Sequence, residues 1–169
     1  IATYGNLICI DEFYRPNVHP LPIITWMREP IPTRDARYVI DYENRLFTIQ
    51  LQDEFGILCE PAFKDVYAGC QQAASYFWPV PKRPLPPWYT ETQPPAMVER
   101  FKNGGSPRIF FVKGRCPNIS RSCDNVVWDE KRPDRPKDNG DLHGADAMRY
   151  ACNSRVRAAN RSPAEEQAW

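Results

Sequence analysis

The sequence predicts an α/β domain in which helices flank a sheet that contains parallel strands. Three times, a short apolar run of strand length is followed by a longer segment whose apolar residues recur at helical spacing. This alternation is typical of parallel sheets, because each helix carries the chain back to the start of the next strand. With 169 residues, of which 42% are hydrophobic, the chain is long enough for one domain with a core.

The alternating elements fill the first half of the chain. Gly56 is positioned as the C-terminal cap of one predicted helix, because glycine accepts the left-handed backbone in which many helices end. Asp65 is positioned as the N-terminal cap of the next, since its carboxylate accepts backbone N–H groups. In chain order, the apolar patterns predict a strand at 7–10, a helix at 21–27, a strand at 36–40, a helix at 44–55, a strand at 57–59 and a helix at 66–78.

The second half of the chain is predicted to be less regular. Prolines concentrated at 79–95 indicate a polyproline-like loop, and a polar segment at 129–140 indicates a second loop. The last helix, at 142–160, has an apolar stripe at helical spacing, and we expect the 161–169 tail to be flexible. The sequence therefore predicts that the domain ends at residue 160, where the tail begins. Between these segments the sequence predicts a short helix at 97–102, a strand at 108–112 and an extended piece at 126–128.

Composition excludes several classes of protein. The 22 Lys and Arg residues are balanced by 21 Asp and Glu, so any surface that binds nucleic acid has to be local. No apolar run approaches the roughly 18 to 20 residues that span a membrane. The six cysteines include no Cys-x-x-Cys pair, which argues against a zinc site and against a disulfide-rich secreted domain. We expect reduced thiols in a cytoplasmic protein with no membrane partner.

Two carboxylates stand out by position. Asp41 ends a predicted buried strand, where ligands collect in parallel sheets, and Asp146 lies beside the apolar stripe of the last helix. A charge so close to a core is costly unless it is paired or bound to a metal. Carboxylates that converge from a strand end and a helix are the ligands that pairs of Mg²⁺ or Mn²⁺ ions need in phosphodiester hydrolysis.

Ordinary structural roles explain the same residues as well. Asp41 and Asp141 are each placed to cap the N-terminus of a helix. Asp146 lies one turn before Arg149, which is close enough along a helix for an ion pair. Two further residues fit solvated surface positions: Glu12 and His143. The residue pattern alone therefore defines an α/β domain with a suggestive pair of acids.

The segment at 141–151, Asp-Leu-His-Gly-Ala-Asp-Ala-Met-Arg-Tyr-Ala, carries a more specific signal. It resembles the closing motif of the nuclease domain of tailed-bacteriophage terminase large subunits, in which His-x-x-Asp-Ala-Leu-Arg-Tyr opens the C-terminal helix. Met148, in place of leucine, departs from that pattern. Further segments resemble landmarks of the same family in the same order, from about residue 5 to residue 152. They are 7–14, 36–41, 56–62, 64–69, 107–110, Cys116 and 127–129.

The resemblance implies a ribonuclease-H-like fold, a mixed sheet flanked by helices, within a nuclease domain at 1–160. It implies a two-metal endonuclease that cleaves concatemeric double-stranded viral DNA with two Mg²⁺ or Mn²⁺ ions. Asp41 and Asp146 correspond to catalytic metal ligands, although Tyr42 replaces the usual proline after the first. Asp141 falls beside the metals, and His143 is placed to orient water or a ligand. The family's first catalytic aspartate would lie on an N-terminal strand missing from this chain, so we expect weak activity or none.

The same resemblance implies partners and a location. Double-stranded DNA is the expected substrate, and the ATPase domain of a full terminase, the small terminase subunit and the portal ring are the expected protein partners, in a bacterial host cytoplasm. No Gly-x-x-x-x-Gly-Lys-Ser/Thr phosphate loop marks an ATPase domain in this chain. Two alternatives stay open: another ribonuclease-H-like nuclease, such as a resolvase or transposase core, and an inactive module that binds DNA or the portal. The cations expected to contact DNA are Lys113, Arg115, Lys131, Arg132, Arg135 and Lys137.

Overall fold

A computed structural model describes residues 6–15, 18–28, 36–43 and 45–160. Contacts divide the chain into two units, each built from two stretches of sequence. Unit 1 comprises Ile1–Glu12 and Asp65–Asn153, and unit 2 comprises Phe13–Lys64 and Ser154–Trp169. The predicted flexible tail at 161–169 lies outside the described residues.

Helices and short strands alternate along the chain, which confirms the predicted α/β class. The six elements predicted in the first half are all present. In chain order, the elements are β1 (Leu7–Cys9), α1 (Pro20–Arg28), β2 (Tyr38–Ile40), α2 (Arg45–Phe55), β3 (Cys59–Pro61), α3 (Val66–Phe77), α4 (Pro87–Thr92), α5 (Pro95–Gly104), β4 (Ile109–Phe111), α6 (Pro117–Asp124), β5 (Trp128–Asp129), β6 (Arg132–Pro136) and α7 (His143–Asn160).

Both predicted helix caps are confirmed. Gly56 has a φ of 65°, and the amide of Ile57 closes the end of α2 by donating to the carbonyl of Leu51 at 2.9 Å. The carboxylate of Asp65 accepts the amide of Ala68 at 2.9 Å and so caps α3. Because Ile57 belongs to the cap of α2, β3 begins two residues later than predicted.

The structure corrects the sequence prediction at three elements of the second half. α4 lies within the predicted 79–95 loop and begins with proline, which is tolerated where a helix needs no N–H donor. α6 is absent from the sequence prediction, and β6 pairs with β5 inside the predicted 129–140 loop. These three segments are rich in proline, polar or charged residues, so no apolar periodicity marks them.

The strands pair in three small ladders among the described residues. β1 lies parallel to β4, and β2 lies parallel to β3, each over three residue pairs. β5 and β6 form an antiparallel hairpin. The parallel pairs agree with the predicted strand–helix alternation. Within the described ranges these strands do not join into a single mixed sheet, so the ribonuclease-H-like arrangement stays a proposal.

Each unit has its own apolar core. In unit 1, residues from α3, β4 and α7 meet in a buried cluster, which fixes the C-terminal helix against a strand and a second helix. In unit 2, α1 and α2 pack with the segment after α2. The buried residues are Tyr76, Ile109, Met148 and Cys152 in unit 1, and Ile24, Leu51 and Ile57 in unit 2. None of the described helices is long and apolar enough to cross a membrane.

Candidate active site

The start of α7 is anchored on α6. The buried hydroxyl of Ser122 donates to the carbonyl of Asp141 and accepts the amide of Ala145 at 3.0 Å, so a residue of α6 caps α7. Gly144 lies so close to α6 that an added Cβ would be 2.9 Å from the Cα of Ile119. The first turn of α7, where the candidate site residues His143 and Asp146 lie, therefore has a fixed position in unit 1.

Asp146 projects from that first turn and pairs with a buried cation. Its Oδ1 accepts hydrogen bonds from Nε of Arg149 at 3.1 Å and from Nη2 at 2.9 Å. The Asp146 side chain is 44% exposed, whereas that of Arg149 is 6% exposed. The ion pair named as an alternative from the sequence is thus confirmed. It supplies the compensation that a charge beside an apolar core requires.

Arg149 is held in turn by α3. An added Cβ at Gly69 would lie 3.1 Å from Cδ of Arg149, so only glycine leaves room for this side chain without a shift. The side-chain amide of Asn153 donates to the carbonyls of Gly69, at 3.1 Å, and Arg149, at 2.7 Å. The guanidinium also lies 4.5 Å from the ring centre of Tyr150. Two helices that are far apart in sequence therefore meet at one glycine.

Asp141 and His143 lie beside this arrangement. The carboxylate of Asp141 pairs with Nε of Arg121 at 3.2 Å, and the Asp141 side chain is 24% exposed. His143 is the first residue of α7 and is exposed. The structure thus brings three of the predicted site residues, Asp141, His143 and Asp146, to one end of one helix.

Asp41 belongs to unit 2. It directly follows β2, as predicted, and its Oδ1 accepts the amide of Glu43 at 3.1 Å in the turn that leads toward α2. The ammonium group of Lys64 forms an ion pair with Asp41 and lies 3.5 Å from the carboxylate of Glu43. The side chain of Asp41 is 34% exposed. Its convergence with Asp146, a residue of unit 1, stays a prediction.

The donor chemistry suits divalent cations only in part. Mg²⁺ and Mn²⁺ prefer carboxylate oxygens, which Asp41, Asp141 and Asp146 carry. Among the described residues, however, no three His, Cys, Asp or Glu side chains are grouped closely enough to hold a metal ion. The described donors therefore do not complete a two-metal site.

Most of the predicted DNA-binding cations lie on or near the β5–β6 hairpin and are exposed. Arg132 pairs with Asp129 and Arg135 pairs with Asp134, each at 3.1 Å. The amide of Lys131 and then the guanidinium of Arg132 lower the pKa of Asp129 below its ordinary value. Of the remaining cations, Arg115 pairs with Asp11 at 2.7 Å, and both lysines, Lys113 and Lys137, are exposed. Carboxylates of the chain thus offset part of the predicted positive charge.

Glu12 has a role that the sequence did not reveal. Its carboxylate accepts the backbone amide of Asn118 at 2.8 Å, the side-chain amide of the same residue at 2.6 Å and the amide of Ile119 at 2.7 Å. The expected solvated surface position is therefore wrong, because Glu12 caps α6 from the segment that follows β1. Cys116, which precedes Pro117 at the helix start, makes no side-chain cap of its own, so Glu12 supplies the acceptors.

The cysteines near this cap behave as neutral packing residues. The thiol of Cys116 donates to the carbonyl of Cys9 at 3.4 Å. Burial raises the pKa of the Cys9 thiol to about 12 and that of Cys123 to about 11. All six cysteines are free thiols, in agreement with the expected reduced state. Neutral thiols are poor nucleophiles and poor metal ligands, so these side chains add nothing to the candidate site.

Comparison with known proteins gives no match. No protein-family model, no curated protein and no solved structure is similar to this chain at a significant level.

Proposed function

We propose that the chain is a DNA endonuclease domain of the terminase large-subunit type, a hydrolase that cleaves double-stranded viral DNA during packaging and uses Mg²⁺ or Mn²⁺. The contact between Gly69 and Arg149 is the observation that carries this proposal. Gly69 closes one segment that resembles the family, at 64–69, and Arg149 lies in another, at 141–151. Glycine at position 69 leaves the space that the Arg149 side chain occupies, which gives a physical reason for both residues.

Two more contacts within unit 1 support the same proposal. Cys116, another of the resembling positions, donates its thiol to the carbonyl of Cys9 in the 7–14 segment. The ring of Tyr67, in the same 64–69 segment as Gly69, lies 6.0 Å from the ring of Trp128 in the resembling 127–129 segment. Short motifs that matched by chance would have no reason to be neighbours after the chain folds. Their contacts therefore favour a common origin with the terminase pattern.

The proposed roles follow the positions of the side chains. Asp146 would offer a partly exposed carboxylate from an anchored helix turn, with Asp141 and His143 beside it. Asp41 would supply a carboxylate from the end of β2. Divalent ions, when bound, would supply water activation and stabilise the leaving oxygen. The cations of the β5–β6 hairpin would hold duplex DNA near α7 by contacting its phosphates.

Neutralising a proposed metal ligand provides the first test. Asp41→Asn or Asp146→Asn should weaken Mn²⁺ binding by more than about 100-fold, because a hard cation loses a charged oxygen ligand. Isothermal titration of Mn²⁺ into the full chain measures this directly, and plasmid cleavage in Mn²⁺ follows any activity. The control is Asp53→Asn, which removes an exposed acid from α2. If the Asp146→Asn and Asp53→Asn chains bind Mn²⁺ equally well, Asp146 is a structural ion-pair partner and the proposed ligand assignment is wrong.

A DNA-binding module without metal chemistry is the second candidate function. It is favoured by the described donors, which do not form a group of three, and by the ion pairs that already neutralise Asp41 and Asp146. The two candidates differ in their dependence on Mn²⁺. A module of this kind binds duplex DNA with the same affinity in Mn²⁺ and in EDTA and needs no bound metal. The endonuclease itself binds Mn²⁺, through both aspartates.

The cations of the hairpin are expected to contribute to DNA affinity unequally. Replacing Lys131, Arg132, Arg135 and Lys137 by serine should lower the slope of log affinity against log salt by about two rather than about four. The reason is that Arg132 and Arg135 are already paired with Asp129 and Asp134 and release few counterions. Fluorescence anisotropy with a labelled duplex, between low and moderate salt, measures the slope. Serine at Arg100 and Lys102 of α5 is the control. An unchanged slope in the hairpin variant would remove the hairpin from the DNA-binding surface.

A further inference from the structure

The loop between β6 and α7 contains one of the chain's two Asn-Gly pairs, Asn139–Gly140. In such a pair the backbone nitrogen of the glycine can attack the side-chain amide of the asparagine, because glycine has no Cβ to obstruct the approach. Both residues are exposed, and Gly140 has a φ of 78°. The other pair, Asn103–Gly104, lies in the last turn of α5.

The side-chain amide of Asn139 is held at both of its polar atoms. Its Oδ1 accepts the backbone amide of Asp141 at 3.0 Å, and its Nδ2 donates to the carbonyl of Asn125 at 3.1 Å. The first bond closes a ring that contains the Gly140 nitrogen, so the side chain is folded forward along the peptide that would attack it. The N–H of Asp141 would also stabilise the negative charge that develops on Oδ1 during the attack.

The attacking nitrogen has a base beside it. The amide of Gly140 donates to Oδ1 of Asp138 at 3.0 Å. A peptide nitrogen attacks a carbonyl carbon only as it loses its proton, and this carboxylate is within hydrogen-bond distance to accept that proton. The loop therefore places a base at the nucleophile and a hydrogen-bond donor at the electrophile, which is the arrangement that acyl transfer requires.

We propose that Asn139–Gly140 is a self-modification site, at which Asn139 loses its side-chain nitrogen as ammonia without an enzyme or a cofactor. The Gly140 nitrogen forms a bond to Cγ of Asn139 and gives its proton to Asp138. The bond from Cγ to Nδ2 breaks, and the departing nitrogen takes a proton and leaves as ammonia. One water molecule then opens the cyclic succinimide and leaves aspartate or isoaspartate at position 139. The proposal is independent of the nuclease activity.

The conversion changes the loop in two ways. It removes the Nδ2 donor that ties the loop to Asn125 at the end of α6. It also adds a negative charge between Asp138 and Asp141, which opposes the approach of phosphates to the start of α7. The modification is thus a slow, one-way change in the segment that joins the β5–β6 hairpin to α7.

The test is peptide mapping by mass spectrometry of the full chain, incubated at neutral pH in native buffer and in urea. Each conversion adds one dalton to the peptide that contains it. Asn139 should convert about tenfold faster in the native chain than in urea, because the base and the donor are in place only in the folded loop. Asn103 should convert about tenfold more slowly in the native chain than in urea, since the end of α5 must first open.

Two variants test the base, with thermal unfolding to establish that each is folded. Asp138→Ser keeps an oxygen that accepts the Gly140 amide but is no base, so it should slow native conversion of Asn139 by about tenfold. Glu130→Ser, which removes another exposed acid of the same hairpin region, is the control and should stay within about twofold of the parent rate.

Two results would overturn the proposal. Native conversion of Asn139 that is no faster than conversion in urea would show that the hydrogen bonds of the loop protect this side chain. An unchanged rate in the Asp138→Ser chain would show that Asp138 does not take the proton.

Discussion

Replacing Gly144 by alanine is expected to destabilise the protein by on the order of 3 kcal/mol and to loosen the start of α7. The new Cβ would lie 2.9 Å from the Cα of Ile119 and 2.8 Å from the Cβ of Ser122. The first of these is a backbone atom, which no side-chain rotation removes, so α6 and α7 would have to move apart. That movement would break the cap that Ser122 places on α7.

Chemical denaturation measures the loss of stability, and hydrogen exchange of the Ala145 amide measures the loosening. The matched control is Gly104→Ala at the end of α5, where an added Cβ meets nothing within 4 Å. Alanine there should be neutral or stabilise by up to about 1 kcal/mol, because alanine favours the helical backbone over glycine. Equal stability of the two variants would show that α6 and α7 are farther apart than the structure places them.

Glu12→Ala is expected to have the second-largest effect, a loss of about 2 kcal/mol. It would leave without an acceptor three donors that Glu12 now engages: two backbone amides, of Asn118 and Ile119, and one side-chain amide, of Asn118. The loss should be larger than for an ordinary helix cap, because the acceptor is charged and partly buried. Glu12→Gln keeps one oxygen acceptor and should lose about half as much.

The control for Glu12 is Glu99→Ala, which removes an exposed acid from α5 and should change stability by less than about 0.5 kcal/mol. Urea denaturation of the three variants gives the comparison. Should Glu12→Ala prove as mild as Glu99→Ala, the capping role is wrong. A loss of stability would also mean that any loss of DNA cleavage in Glu12 variants reflects the disturbed α6 rather than a missing metal ligand.

Local signals account for the parts of the fold that the sequence predicted. The turn at Gly56 and the cap at Asp65 are indicated by residue types in the local sequence. The helices around them were predicted within a few positions. The missed elements depend on distant partners. Glu12 caps α6 from 106 positions away, and no periodicity within α6 itself reports that contact.

The candidate site divides in the same way. Asp146 and Arg149 lie one helical turn apart in the sequence, so their spacing alone suggested the ion pair. The pair between Asp41 and Lys64 spans 23 positions and follows only from the folded chain. Asp41 and Asp146 belong to different units, so their predicted convergence depends on the resemblance and not on local sequence.

The pairing of β1 with β4 sets an order of events during synthesis. Leu7 lies opposite Ile109, and Glu12 can cap α6 only after residues just beyond Ile109 have been synthesised. The first strand therefore leaves the ribosome long before its partner exists. Contacts local in sequence, such as those within unit 2 between α2 and β3, can form before β4 has been made. Unit 1 closes only after β4 and the start of α6 have been made, and until then β1 presents an unpaired apolar edge to chaperones and to other chains.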